Sequence, residues 1–204
     1  MAEWMSFPKY NPFLGVSTSS FTRRPEISLD GGREEEAIVA MAPDLRSVES
    51  WDDFIREYSE DRETANAMYR RARRFLESFA WCGGIEKAYV GLLQFDIVGV
   101  FLFKIHPTKP EVDEWLWVVV GDLPSAYLVC DNSPNPVLAL QGYIEEMSRW
   151  VDAVEKGQPV DDLIPTRVDP TPKYAQMLKI RLEIIEEYLM REFGEVLKDA
   201  PPFD

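Results

Sequence analysis

The chain is poor in the residues that carry most metal and nucleophilic chemistry. Its 204 residues include one histidine, His106, and two cysteines, Cys82 and Cys130. With a single imidazole, any Ser-His or Cys-His mechanism would rest on His106 alone. A zinc site needs several nitrogen or sulfur ligands, which one histidine and two distant cysteines supply poorly. The cysteines form no Cys-x-x-Cys pair, so spacing argues against a metal knuckle or a redox motif, and both read as free thiols. No Walker loop, G-x-G-x-x-G or G-x-S-x-G is present. No cofactor, metal site or catalytic residue is therefore expected.

Long apolar runs are also missing. The densest, Ile97 to Phe103, spans 7 residues, against roughly 20 needed to cross a bilayer. Met1 to Tyr10 has neither a basic opening nor an apolar run, so no secretory signal is expected and a cytoplasmic location is. Basic residues are the third shortage: 22 Lys and Arg stand against 36 Asp and Glu, a net charge of −14. That balance repels phosphate backbones and anionic lipid, so neither nucleic acid nor membrane is an expected partner. Apolar residues, by contrast, make up 46% and aromatics 12% of the chain, enough for a buried core rather than disorder.

The sequence divides unevenly. Residues 1–45 read as an irregular arm, punctuated by Pro8, Pro12, Gly15, Pro25, Gly31 and Gly32 and carrying Trp4, Phe7, Tyr10, Phe13 and Phe21. Glu34 to Met41 reads as a short helix within it. Residues 46–204 read as one α+β domain. Ser50-Trp-Asp-Asp53 fits a capping box, and a longer helix opens at Asp61 and runs toward Trp81, with Gly83-Gly84 as its C-terminal cap. Ala65, Met68, Tyr69, Ala72, Phe75, Leu76 and Phe79 form its inner stripe. Four runs rich in β-branched and aromatic residues follow, Tyr89–Phe95, Ile97–Ile105, Trp115–Val120 and Ala126–Cys130. The gaps are too short for parallel crossovers, which predicts an antiparallel meander of about four strands, covered on both faces and packed with three to four helices. Asn135-Pro136 and Thr171-Pro172 open the last two helices. Gly157 and Gly194 close them.

Candidate sites come from charge rather than motif. Residues 62–76 carry five arginines and one glutamate, a net +4, with Arg70, Arg71, Arg73 and Arg74 opposite the inner stripe. Residues 107–168 carry 11 acids and 4 bases, a net −7. Asp122, Glu145, Asp152, Asp161 and Asp162 are the expected acidic docking residues for a basic protein partner, and Arg70 and Arg74 the expected basic ones. On this reading the protein is a non-enzymatic interaction module of immunity or antitoxin type. Two alternatives stand beside it. One is a ligand-binding or hydrolytic enzyme using Asp113, Asp131 and His106, provided these three converge in a pocket. The other is a structural homo-oligomer joining the arginine face to a neighbour's acidic face.

The run Val100-Phe-Leu-Phe-Lys-Ile105, followed by Asp113-Glu-Trp-Leu-Trp-Val-Val-Val-Gly-Asp-Leu-Pro-Ser-Ala-Tyr127, resembles an uncharacterised family of bacterial proteins with a domain of unknown function. The similarity continues through Ala139 to Gly157 and covers roughly residues 62–193. The resemblance implies no reaction, cofactor or catalytic residue. Trp115 and Trp117 project from one face of their strand and offer one large anchor surface.

Overall fold

The β-branched and aromatic runs between Cys82 and Val129 pair into a sheet that the helices then cover on both faces. In the computed structural model, residues 43–198 are described, except 59, 60, 132 and 167. The arm is almost wholly outside this range, as is the short helix expected at Glu34–Met41. The sheet contains β1 (Glu49–Ser50), β2 (Cys82–Gln94), β3 (Val98–Pro107), β4 (Trp115–Gly121) and β5 (Leu123–Val129), all antiparallel in sequence order. Four helices complete the α+β fold: α1 (Trp51–Glu57), α2 (Arg62–Glu77), α3 (Pro136–Glu155) and α4 (Pro172–Lys198). None of the described helices is long and apolar enough to cross a membrane.

Period-2 alternation divides the core into two halves. Val98, Val100 and Leu102 of β3, with Trp117 and Val119 of β4, pack toward α3 and α4. Phe101, Phe103 and Ile105, with Leu116, Val118 and Val120, pack toward α2 on the other face. From α2 come Ala65, Met68, Ala72 and Leu76, all buried, and from α1 Trp51, whose ring stacks on Tyr69 with centroids 4.2 Å apart. From α3 come Leu140, Tyr143, Ile144, Met147, Trp150, Val151 and Val154, spaced three and four apart or adjacent as one face of a helix requires. Asn135 caps this helix, its Oδ1 accepting from the backbone N–H of Val137 and Leu138 at 3.0 Å each.

Two local expectations are corrected, those at Ser50 and at Gly83-Gly84, and two are refined, the strand count and the end of the last helix. The meander has a fifth strand, because the two residues of β1 pair with Tyr89 and Val90, a pairing too short to leave a pattern. Ser50 stands at the N-cap of α1, but its side chain makes no capping bond. Gly83-Gly84 does not cap a helix: α2 ends at Glu77, and both glycines lie inside β2. A Cβ on Gly83 would sit 2.7 Å from the His106 carbonyl oxygen, so the close approach of β3 is what requires glycine there. The last helix continues past Gly194 to Lys198, with a break in its geometry at Phe193 (φ −131°).

Candidate functional site

The β4–β5 turn, Gly121-Asp-Leu-Pro124, is where all the layers meet. Arg71 of α2 donates from Nη1 to the Gly121 carbonyl (2.6 Å) and from Nη2 to that of Leu123 (3.2 Å). Tyr143 of α3, fully buried, donates its hydroxyl to the Pro124 carbonyl at 2.7 Å. Arg181 of α4 donates from Nε to Asp122 Oδ2 at 3.0 Å. Arg71 is therefore not a free member of the solvent-facing arginine cluster: it reaches around the edge of α2 to donate to two carbonyls of the tight turn. Asp122, expected as a docking carboxylate, is committed to Arg181. The Gly-Asp-Leu-Pro run thus works as a clamp between helical layers on opposite faces of the sheet.

The remaining charged candidates are sorted by face. Arg70 and Arg74 are exposed on the outer side of α2, where Arg74 Nε donates to the Arg70 carbonyl at 3.2 Å and neither joins an ion pair among the described residues. Arg73 pairs with Glu77 at 2.8 Å, as its i,i+4 spacing predicts. Asp53 of α1 pairs with Arg56 of its own helix at 2.8 Å rather than with an arginine of α2. Across the sheet, Glu145 accepts from Gln141 (3.1 Å), Asp152 pairs with Lys156 (2.9 Å), and Asp161 and Asp162 stand exposed in the turn after α3. Apart from Arg71, which lies beside Asp122 at the β4–β5 turn, the +4 face and the acidic stretch are on opposite sides of the sheet.

Asp113, Asp131 and His106 all belong to the end of the sheet opposite the clamp. Asp113 and Asp131 both act electrostatically on the Cys130 thiol, so they flank it. His106 is exposed at the end of β3 and acts on Glu86 across the strand pair. The depression at the β3–β4 turn, about 380 Å³, includes Asp113 and Glu114 but neither His106 nor Asp131 in its lining. No three His, Cys, Asp or Glu side chains among the described residues form a group that would hold a metal ion.

Cys82 and Cys130 are free. Burial, followed by the charges of Asp113 and Asp131, pushes the Cys130 thiol from its ordinary 9.0 up to about 12. A raised folded-state value leaves its stabilising contribution intact below the unfolded value and removes it as pH climbs through the folded one. Cys130 is thus expected to cost stability progressively between pH 9.0 and about 12. Denaturant midpoints measured across pH 8–10 should fall for the wild type more steeply than for Cys130→Ala. At pH 8 a disulfide reagent should titrate the half-buried Cys82 long before Cys130.

One surface is absent from the sequence reading. The inner face of α4 is Ala175, Leu178, Leu182, Ile185 and Leu189, all buried. On its opposite face Ile180, Ile184 and Met190 are 46%, 52% and 59% exposed. At 100° per residue these three share one outward arc of about 120° with Glu183 and Glu187. Their signal in the sequence is that Ile180, Ile184 and Met190 fall off the apolar stripe of the same helix. Comparison of the chain with models of known families, with curated proteins and with solved structures finds no match.

Proposed function

We propose that the chain is an acidic protein-interaction module, of immunity or antitoxin type, whose partner is a protein with a basic surface. The observation that supports this reading is the sorting of charge by layer. Exposed Asp161 and Asp162 follow α3 on one side of the sheet, while exposed Arg70 and Arg74 lie on the other. Asp152 and Glu155 are paired with lysines, whereas Asp161 and Asp162 join no ion pair among the described residues, and such exposed charge of one sign steers an oppositely charged partner and accelerates association. The docking stretch on this reading runs from Asp152 to Asp162 and includes Glu155, whose carboxylate is shared with Lys179 at 3.2 Å.

The test is capture from cell extract at low salt, then separate expression of the captured protein and titration against the purified chain. A basic partner should bind with a Kd that rises about tenfold between roughly 50 and 300 mM salt. The double variant Asp161→Lys, Asp162→Lys should weaken binding about tenfold while leaving the fold intact, since both side chains are exposed. A complex indifferent to both salt and charge reversal would show that the acidic stretch is not the docking surface.

A further inference from the structure

We infer that the outer face of α4 is the contact surface for a second copy of this chain, with two α4 helices lying antiparallel about a two-fold axis near Ile184. This surface is distinct from the Asp152–Asp162 stretch, and the inference does not depend on the partner proposed for that stretch.

The first observation is the apolar face itself. Ile180 and Ile184 are about half exposed on a helix whose inner face is already fully packed. The half-buried Met177 and Tyr188 extend the same line, giving the spacing 177, 180, 184, 188 that repeats along one side of a helix. Such a line is the seam that a partner helix covers.

The second observation is the order of charge along α4. Residues 172–181 carry Lys173, Lys179 and Arg181 and no acid, whereas residues 182–195 carry five glutamates and one arginine. Helix stability favours the reverse order, with acids in the first turn and bases in the last, because the helix dipole is positive at its N-terminus. Pairing within the molecule explains only part of it: Lys179 reaches Glu155 at 3.2 Å and Arg181 reaches Asp122 at 3.0 Å. Lys173 and the glutamates Glu183, Glu186 and Glu187 join no ion pair among the described residues.

The two observations fit one operator. In a two-fold contact each surface must complement itself. With the axis at Ile184, that side chain meets its own copy, and Ile180 meets Tyr188 of the other molecule. The basic first stretch of each α4 then runs beside the acidic second stretch of the other. A parallel pairing would instead stack like charge on like charge. Antiparallel self-association is therefore the arrangement that uses both the apolar seam and the charge step.

Sedimentation equilibrium on the full chain should give a species of twice 23.5 kDa at micromolar concentration. Ile184→Glu should weaken association about 30-fold or more, with a thermal melt equal to that of the wild type at dilutions where both are monomeric, because the side chain is outside the core. The acid-reversed variant Glu183→Lys, Glu187→Lys and the base-reversed variant Lys173→Glu, Lys179→Glu should each self-associate poorly. Mixed in equal amounts, the two should form a heterodimer. A chain that stays monomeric throughout, a dimer untouched by Ile184→Glu, or a mixture that fails to pair would each overturn the inference. A monomer that Ile184→Glu destabilises would do so too, by placing the chain's own N-terminal arm on this face. Loss of the dimer through Ile184→Glu, which alters no residue of the Asp152–Asp162 stretch, leaves binding at Asp161 and Asp162 unaffected, so this test and the preceding one fail separately.

Discussion

Gly121→Ala is expected to cost roughly 3–5 kcal/mol of folding stability, a large share of the 5–15 kcal/mol of an ordinary domain. Gly121 has φ +153°, a region that residues with a Cβ rarely occupy. Backbone conformation alone accounts for about 1 kcal/mol of that cost. The larger part is steric. An added Cβ would run into the Ile97 carbonyl oxygen, and it would lie 2.8 Å from the Ile97 carbonyl carbon and 2.9 Å from Val98 Cα. These are backbone atoms, and the Ile97 oxygen already accepts from the Asp122 N–H at 3.0 Å, so it cannot swing aside without breaking that bond. Moving the turn would also pull Gly121 and Leu123 away from Arg71, and Pro124 away from Tyr143. Gly157→Ala serves as the control: its φ is +64°, and none of the described residues lies within 4 Å of an added Cβ. That variant should lose only about 1 kcal/mol. Urea unfolding would separate the two, with the midpoint shifting far more for Gly121→Ala at a similar m-value. Equal losses at the two glycines would mean that the clamp yields, and that conformation rather than collision sets the cost.

The clamp also shows which parts of the fold were legible in sequence. The inner stripes of α2 and α3 repeat at helical spacing over several turns: the seven stripe residues of α3 are all buried, and in α2 Ala65, Met68, Ala72 and Leu76 are buried with Tyr69 and Phe75 partly so, the helix ending before Phe79. Gly83-Gly84 misled because a glycine pair after a helical run has the composition of a C-cap, whereas here it admits the backbone of β3. Arg71 shares its helix face with Arg70 and Arg74, and periodicity cannot show that its long side chain bends back to a turn 50 residues away. Asp122 looked like a docking carboxylate for the same reason, because its partner Arg181 lies 59 residues on, in another helix. Long-range pairings of single side chains carry no periodic signal. The outer face of α4 was different. Ile180 and Ile184 could have been set apart on the helical wheel, since they fall opposite the buried stripe of the same helix.

Trp117→Ala should be the most damaging change at the Trp-x-Trp pair, at about 3–5 kcal/mol, with Trp115→Ala costing less than half of that. On their strand the two indoles share one face, so sequence presents them as equals in a possible anchor surface. The structure separates them. Trp117 is fully buried beneath α3, and its Nε1 donates to the Ser133 carbonyl at 2.6 Å. Trp115 is only partly buried and contacts Tyr89, with ring centroids 6.1 Å apart. Truncating Trp117 therefore opens a cavity between the sheet and α3 and also leaves the Ser133 carbonyl without its indole donor. Trp117→Phe separates these two effects: it keeps most of the apolar contact and removes the donor, so it should cost about 1–3 kcal/mol. The expected order of melting temperatures is wild type highest, then Trp115→Ala and Trp117→Phe, with Trp117→Ala lowest. For a domain of this size, 4 kcal/mol corresponds to a drop of roughly 8–16 °C. If the two alanine variants melted together, the pair would be acting as one exposed surface, and burial beneath α3 would not be what places a tryptophan at position 117.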